Sequence, residues 1–117
     1  MNDRNNSRRS NCPVSCTLDL IGDKWTLLVV RDLALGKQYF DEFLQSPEGI
    51  ATNILTARLD WLQQQGLVEK QRDERDKRRS CYRLTERGEE LKKLVRLIAR
   101  WGLKHLPGTE VFPSAEM

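Results

Sequence analysis

The chain has 117 residues, 38% of them hydrophobic and 32% charged, with a net charge of +3. That length suits one domain with a modest core and leaves no room for two. No apolar run approaches the roughly 20 residues of a membrane span, and three cysteines, an odd number, do not make a secreted disulfide framework.

Residues 1–11 are polar and Arg-bearing, without the apolar centre of a signal peptide. They are expected to form a disordered basic tail, and the chain is expected in the cytoplasm. The domain is placed at residues 12–106, followed by a loose tail at 107–117 in which Val111 and Phe112 can tuck against a partner. Pro13 suits a first helical turn, and Val14, Leu18 and Ile21 follow at helical spacing up to Gly22. Residues 24–35 are apolar nearly all round (Trp25, Leu27, Leu28, Val29, Val30, Leu33, Leu35), which predicts a buried central helix ended at Gly36. Gln38-Tyr39 offers a short edge strand.

Residues 40–44 read as a short helix, broken by Ser46-Pro47-Glu48-Gly49. A longer helix follows at 50–65, closed by Gly66. Its Leu55, Leu59 and Leu62 share one face, with Ala51 and Arg58 at the edge of that face. The opposite face carries Asn53, Ala57, Asp60 and Gln64, with Thr52 and Thr56 alongside. Residues 67–70 and 80–84 read as strands joined by a charged loop, and Cys81 in the second strand reads as core. Thr85 caps a last helix whose Leu91, Leu94, Ile98, Trp101 and His105 approach a heptad seam, widened by Val95, before Pro107-Gly108 stops it. The fold class is therefore mainly α with a small β-hairpin wing, a winged helix-turn-helix. Such parts can set one helix in a DNA major groove and a loop on the flanking backbone.

Thr52, Asn53 and Thr56 offer short donors and acceptors for base edges. Arg58 can swing to a phosphate or pair with an acidic neighbour such as Glu42. The bland alternative is an amphipathic helix whose Thr52 or Asn53 only caps its start. In the loop, Arg75, Lys77, Arg78 and Arg79 can neutralise phosphates, about two of the four being expected to do so. Against that stands a solvated, charge-mixed loop, since Asp73, Glu74 and Asp76 offset the positive charge. Cys12, beside Pro13 at a helix start, is placed to have an activated thiol, with Cys16 one turn on as a resolving partner. Two inert, half-buried interface cysteines are the competing reading.

A metal site from Cys12, Cys16 and His105 lacks a fourth ligand and tight spacing, so no metal is expected. One histidine, no P-loop and no dinucleotide fingerprint argue against an enzyme, and no cofactor is expected.

With these parts placed, the chain resembles the HxlR-type winged-helix regulators, relatives of the MarR type. The resemblance rests on Cys12-Pro13-Val14, Leu18-Asp19-Leu20-Ile21-Gly22-Asp23-Lys24-Trp25-Thr26-Leu27-Leu28 and Phe40-Asp41-Glu42-Phe43. It continues through Ile50-Ala51-Thr52-Asn53-Ile54-Leu55-Thr56-Ala57-Arg58-Leu59, Gly66-Leu67-Val68 and Tyr82-Arg83-Leu84-Thr85-Glu86-Arg87-Gly88, in order over residues 12–102. It implies a homodimer that binds a pseudo-palindromic operator in double-stranded DNA and answers to a small-molecule or redox signal, with Cys12 in the position that senses oxidants in some members. It also implies dimerisation through the N- and C-terminal helices, here Leu18 with Leu91, Leu94, Ile98 and Trp101. Two features depart from the family: the wholly charged loop at 72–79, and Asp60-Trp61. A protein-docking winged-helix module, or a regulator whose main output is thiol sensing at Cys12, are the alternatives.

Overall fold

The computed structural model describes residues 8–111. Six helices and one hairpin follow in the order α1 (Pro13–Ile21), α2 (Thr26–Ala34), α3 (Phe40–Leu44), α4 (Thr52–Gln64), β1 (Val68–Arg72), β2 (Ser80–Leu84), α5 (Glu86–Glu89) and α6 (Leu91–His105). The strands pair antiparallel from Val68 opposite Leu84 to Arg72 opposite Ser80. Val29, Val30, Phe43, Leu55, Leu59, Leu62 and Tyr82 meet in a single core, with the Phe43 and Tyr82 rings edge to face at 6.3 Å.

Several expectations shift. The predicted helix at 24–35 starts at Thr26, because the Asp23 carboxylate accepts from the N–H groups of Trp25 and Thr26 and from the Thr26 hydroxyl. A short acidic side chain bonded to the backbone two and three residues on sets a helix start at that point. Gln38 forms no strand. Its carbonyl accepts a single bond, from the Tyr82 N–H at 2.8 Å, and the sheet has two strands. Cys81 lies on the opposite face of the hairpin from buried Tyr82 and Leu84, since side chains alternate along a strand, and it is half-buried instead of core.

The last helix is divided. Gly88 in α5 packs so closely on the residue before β1 that an added Cβ would stand 2.0 Å from the Leu67 carbonyl oxygen. The chain tightens there into i−3 bonds from Glu90 to Arg87 and from Lys93 to Glu90. Thr85 does cap the first piece, its hydroxyl accepting from the Gly88 N–H at 3.1 Å. Along α6, Val95 is buried and Leu91 packs on the core. The expected seam is therefore turned partly inward at its start and exposed at Ile98 and Trp101.

A polar network, unforeseen in the sequence, fixes the turn between α3 and α4. Asp32 is 4% exposed, and its carboxylate accepts from the Ser46 hydroxyl at 2.5 Å and from Arg31 at 2.9 Å. Lys37 donates to Ser46 at 2.7 Å. Arg31 also grips Glu48 with two bonds, at 2.7 and 2.9 Å. Bidentate donation by Arg31 holds the Glu48 carboxyl below its ordinary range. A carboxylate so lowered contributes stability above its unfolded value of about 4.3, and that contribution is lost as pH falls through the folded value. Glu48→Gln is thus expected to lower stability at pH 7 by no more than about 1 kcal/mol, the pair being partly exposed. Urea melts at pH 7 and at pH 3 should show the difference between the two chains shrinking in acid.

Candidate nucleic-acid interface

The face of α4 turned away from the core carries Thr52, Asn53, Thr56, Ala57, Asp60 and Gln64, all exposed. Ala51 stands at its N-cap and no side chain closes that end, so neither Thr52 nor Asn53 acts as its cap. Among the described residues, Thr52, Asn53 and Thr56 have no side-chain hydrogen bond within the chain. The start of α4 therefore presents free backbone N–H groups beside three short polar side chains, an arrangement suited to phosphate oxygens and base edges.

The far side of α4 is pinned. Arg58 pairs with Asp23 at 3.4 Å, and the Trp61 indole N–H donates to the Leu20 carbonyl at 2.8 Å. The expected partner, Glu42, is engaged elsewhere: its carboxylate accepts from the N–H groups of Gln38 and Tyr39 at 2.8 and 3.1 Å, which lowers its pKa. Asp23 loses some solvation, but bonds from Thr26 and Trp25 with the charge of Arg58 outweigh that and lower its pKa. Arg58 is thereby tied to the α1–α2 corner. The departure at Asp60-Trp61 divides in two, with Asp60 exposed and Trp61 serving as an anchor.

In the wing, the acids build the loop. Asp73 accepts from the Asp76 N–H at 3.2 Å and from the Tyr39 hydroxyl at 3.1 Å. Asp76 accepts from the Arg78 N–H and Nε at 3.1 and 3.2 Å. Backbone bonds from Asp73 to Arg79 and from Arg79 to Asp76 close the turn. Arg79 lies 3.7 Å over the Tyr39 ring and reaches Asp41 at 3.4 Å. Donation to Asp73 raises the Tyr39 phenol above its usual pKa. Of the four predicted cations, Arg79 is thus committed to holding the wing on α3, and Arg78 is paired with Asp76 while 91% exposed. Arg75 and Lys77 are exposed and have no ion-pair partner among the described residues. Arg72, which the sequence places in the charged loop and which was not among the expected contacts, ends β1 and is in the same state.

Cys12 is exposed at the N-cap of α1. The N–H groups of Ser15 and Val14 lower its thiol pKa without closing a cap hydrogen bond. Cys16 is half-buried, its thiol donating to the Ser10 carbonyl at 3.4 Å. Arg9 reaches Asp19 at 2.7 Å, so the described part of the expected basic tail lies against α1. Residues 1–7 and Phe112 fall outside the described residues. No group of three metal-binding side chains that could hold a metal ion occurs among the described residues, and the His105 ring lies against Trp101 at 4.7 Å, tilted by 39°. No helix among the described residues is long and apolar enough to cross a membrane.

Residues 20–110 match the family described as HxlR-like helix-turn-helix. The chain belongs to that family. The HTH-type transcriptional regulator Rv3095 of Mycobacterium tuberculosis is 34% identical over 97 residues, covering 83% of this chain and 61% of that relative's length. YdeP of Bacillus subtilis, another HTH-type transcriptional regulator, is 33% identical over 94 residues, which are 80% of this chain and 73% of YdeP. The oxidized form of the redox regulator HypR superposes with a TM-score of 0.73 at 32% identity, over 86% of this chain and all of that one. The HxlR-type fold, mainly helical with a two-stranded wing, is thus shared with solved regulators.

The wing latch yields a measurable expectation. Tyr39→Phe should leave the global fold intact while loosening residues 73–79 by about 0.5–1.5 kcal/mol, the worth of the hydrogen bond removed. Hydrogen exchange would show faster exchange at the Asp76 and Arg79 amides, with the core helices unchanged.

Proposed function

We propose that this HxlR-type protein is a dimeric, sequence-specific DNA-binding transcriptional regulator. The observation that carries the reading is the start of α4: exposed, uncapped, and lined by Thr52, Asn53 and Thr56 with no competing partners among the described residues. In this reading Asn53, with Thr52 and Thr56, meets base edges, and the free N–H groups bind a phosphate. Arg75 and Lys77, with Arg72 and outward-facing Arg78, contact the backbone. Arg58 and Arg79 orient the helix and the wing. The exposed Asp60 turns the third helical turn away from phosphates and confines base contact to the first two.

Dimerisation supplies the second reading helix. Leu18 on α1, with Ile98 and Trp101 on α6, is half or more exposed, and exposed apolar side chains in such number mark a protein interface. Leu94 lies at its edge, and Leu91 supports it from the core side. Two-fold symmetry places the reading helices about 34 Å apart on a pseudo-palindromic operator. The free cations on the wing favour this over a protein-docking module, which has no use for them.

A gel shift on DNA from the protein's own promoter region tests the reading. A sequence-dependent, salt-sensitive shift is expected, and its absence would sink the proposal. Arg75→Ala with Lys77→Ala should weaken operator and random DNA alike and flatten the log-log salt slope by about 0.9 for each phosphate no longer neutralised. Asn53→Ala should cost about 1–3 kcal/mol on the operator and little on random DNA.

Cys12 supports a second reading, in which oxidation of its exposed, lowered-pKa thiol alters DNA binding. The likeness to HypR, a redox regulator, favours it. Mild peroxide should then change the operator affinity of the native chain and leave Cys12→Ser unaffected. Equal responses from both chains would remove Cys12 from the mechanism.

A further inference from the structure

An open groove of about 510 Å³ runs between α2 and α6, within the range of about 300–1,000 Å³ typical of small-molecule sites. Leu28 lines one side, Val95, Ala99 and Leu103 line the other, and Val111 also contributes to the lining. At about 100° per residue, Ala99 and Leu103 lie on the opposite flank of α6 from Leu94, Trp101 and His105. The helix thus carries two apolar flanks, and a dimer contact along the second leaves the first without an occupant. Ile98 borders both.

Charge narrows the choice of occupant. Arg31, Arg96 and Arg100 line the groove against two carboxylates, Glu48 and Glu110, an excess of one positive charge. Arg31 and Glu48 are joined to each other. Arg96 and Arg100 have no ion-pair partner among the described residues, and they follow Leu103 around the same flank of α6.

We propose that this groove binds a small amphipathic organic anion, its apolar body along Leu28 and Leu103 and its carboxylate or sulfonate at Arg96 and Arg100. The ligand would sit against Arg31 and Glu48, the pair that holds the turn leading into α4. The site itself does not depend on the DNA-binding reading.

The test uses 8-anilinonaphthalene-1-sulfonate, an apolar aromatic anion that brightens in apolar surroundings, titrated into the full chain without DNA. Saturable binding of one probe per chain is expected. Decanoate should displace the probe, and decanol at equal concentration should not. Arg96→Ala with Arg100→Ala should weaken binding by at least about tenfold, since a charge-assisted bond is worth roughly 1.5–3 kcal/mol. Leu28→Trp, which fills the groove, should abolish binding, and the arginine pair keeps the test decisive if that variant fails to fold. Four outcomes would overturn the proposal: no saturable binding; equal displacement by decanol; an unchanged arginine double variant; or binding seen only in diluted monomer or in a chain ended at residue 111, where a second copy or the chain's own end is the true occupant. Because DNA is absent, failure here leaves the gel-shift result standing, and the reverse also holds.

Discussion

The buried carboxylate of Asp32 is the constraint on which the helix-turn-helix geometry rests. A charge placed at the end of the central helix is costly unless it is fully bonded. Here the bonds come from Ser46 and Arg31, and Arg31 in turn holds Glu48. Every partner lies either at the end of α2 or in the turn before α4. The cost of burying Asp32 is offset only when the turn is in place, so the network selects one path for the chain between the two helices. Apolar packing of Leu55, Leu59 and Leu62 secures α4 on the core, but packing alone is non-directional. The polar network, with Arg58 on Asp23 and Trp61 on Leu20, supplies the direction.

The wing shows why counting charges misleads. By composition, Asp73, Glu74 and Asp76 cancel most of the positive charge of the loop. In the structure, Asp73 and Asp76 accept hydrogen bonds from the loop's own backbone, from Arg78 and from Tyr39. They are the scaffold that turns Arg75 and Lys77 outward. Arg79, the cation nearest the strand, stacks on Tyr39 and directs its charge to Asp41. A mixed-sign loop can therefore present a positive tip without a large net charge.

Periodicity made most of the fold legible. The face of α4 follows from the spacing of its leucines, the short α3 from its flanking breakers, and the hairpin from two runs of strand formers around a charged centre. What stayed hidden were bonds between residues distant in sequence. Nothing local to Asp32 or Ser46 announces that they meet, and Arg58 shows its partner only once α1 and α2 are folded against α4. The split in the last helix was unreadable for a similar reason, since Gly88 is demanded by the close approach of Leu67, some twenty positions earlier. Cys81 was misplaced because a cysteine suits either face of a strand, and it is the burial of Tyr82 and Leu84 that turns Cys81 to the other side.

Gly88 has a mechanical consequence. Its backbone rests directly on the Leu67 carbonyl, the Thr85 hydroxyl donates to the Gly66 carbonyl at 2.6 Å, and Arg87 donates to the Gln65 carbonyl, also at 2.6 Å. The end of α4, the root of the hairpin and the short α5 that precedes the terminal helix are held at one point by a direct backbone contact and two side-chain bonds. A tilt imposed at the outer end of α6 meets first the division of the helix at Glu90, and only beyond it this clamp. The clamp itself keeps the end of α4, the hairpin root and α5 in one fixed mutual arrangement.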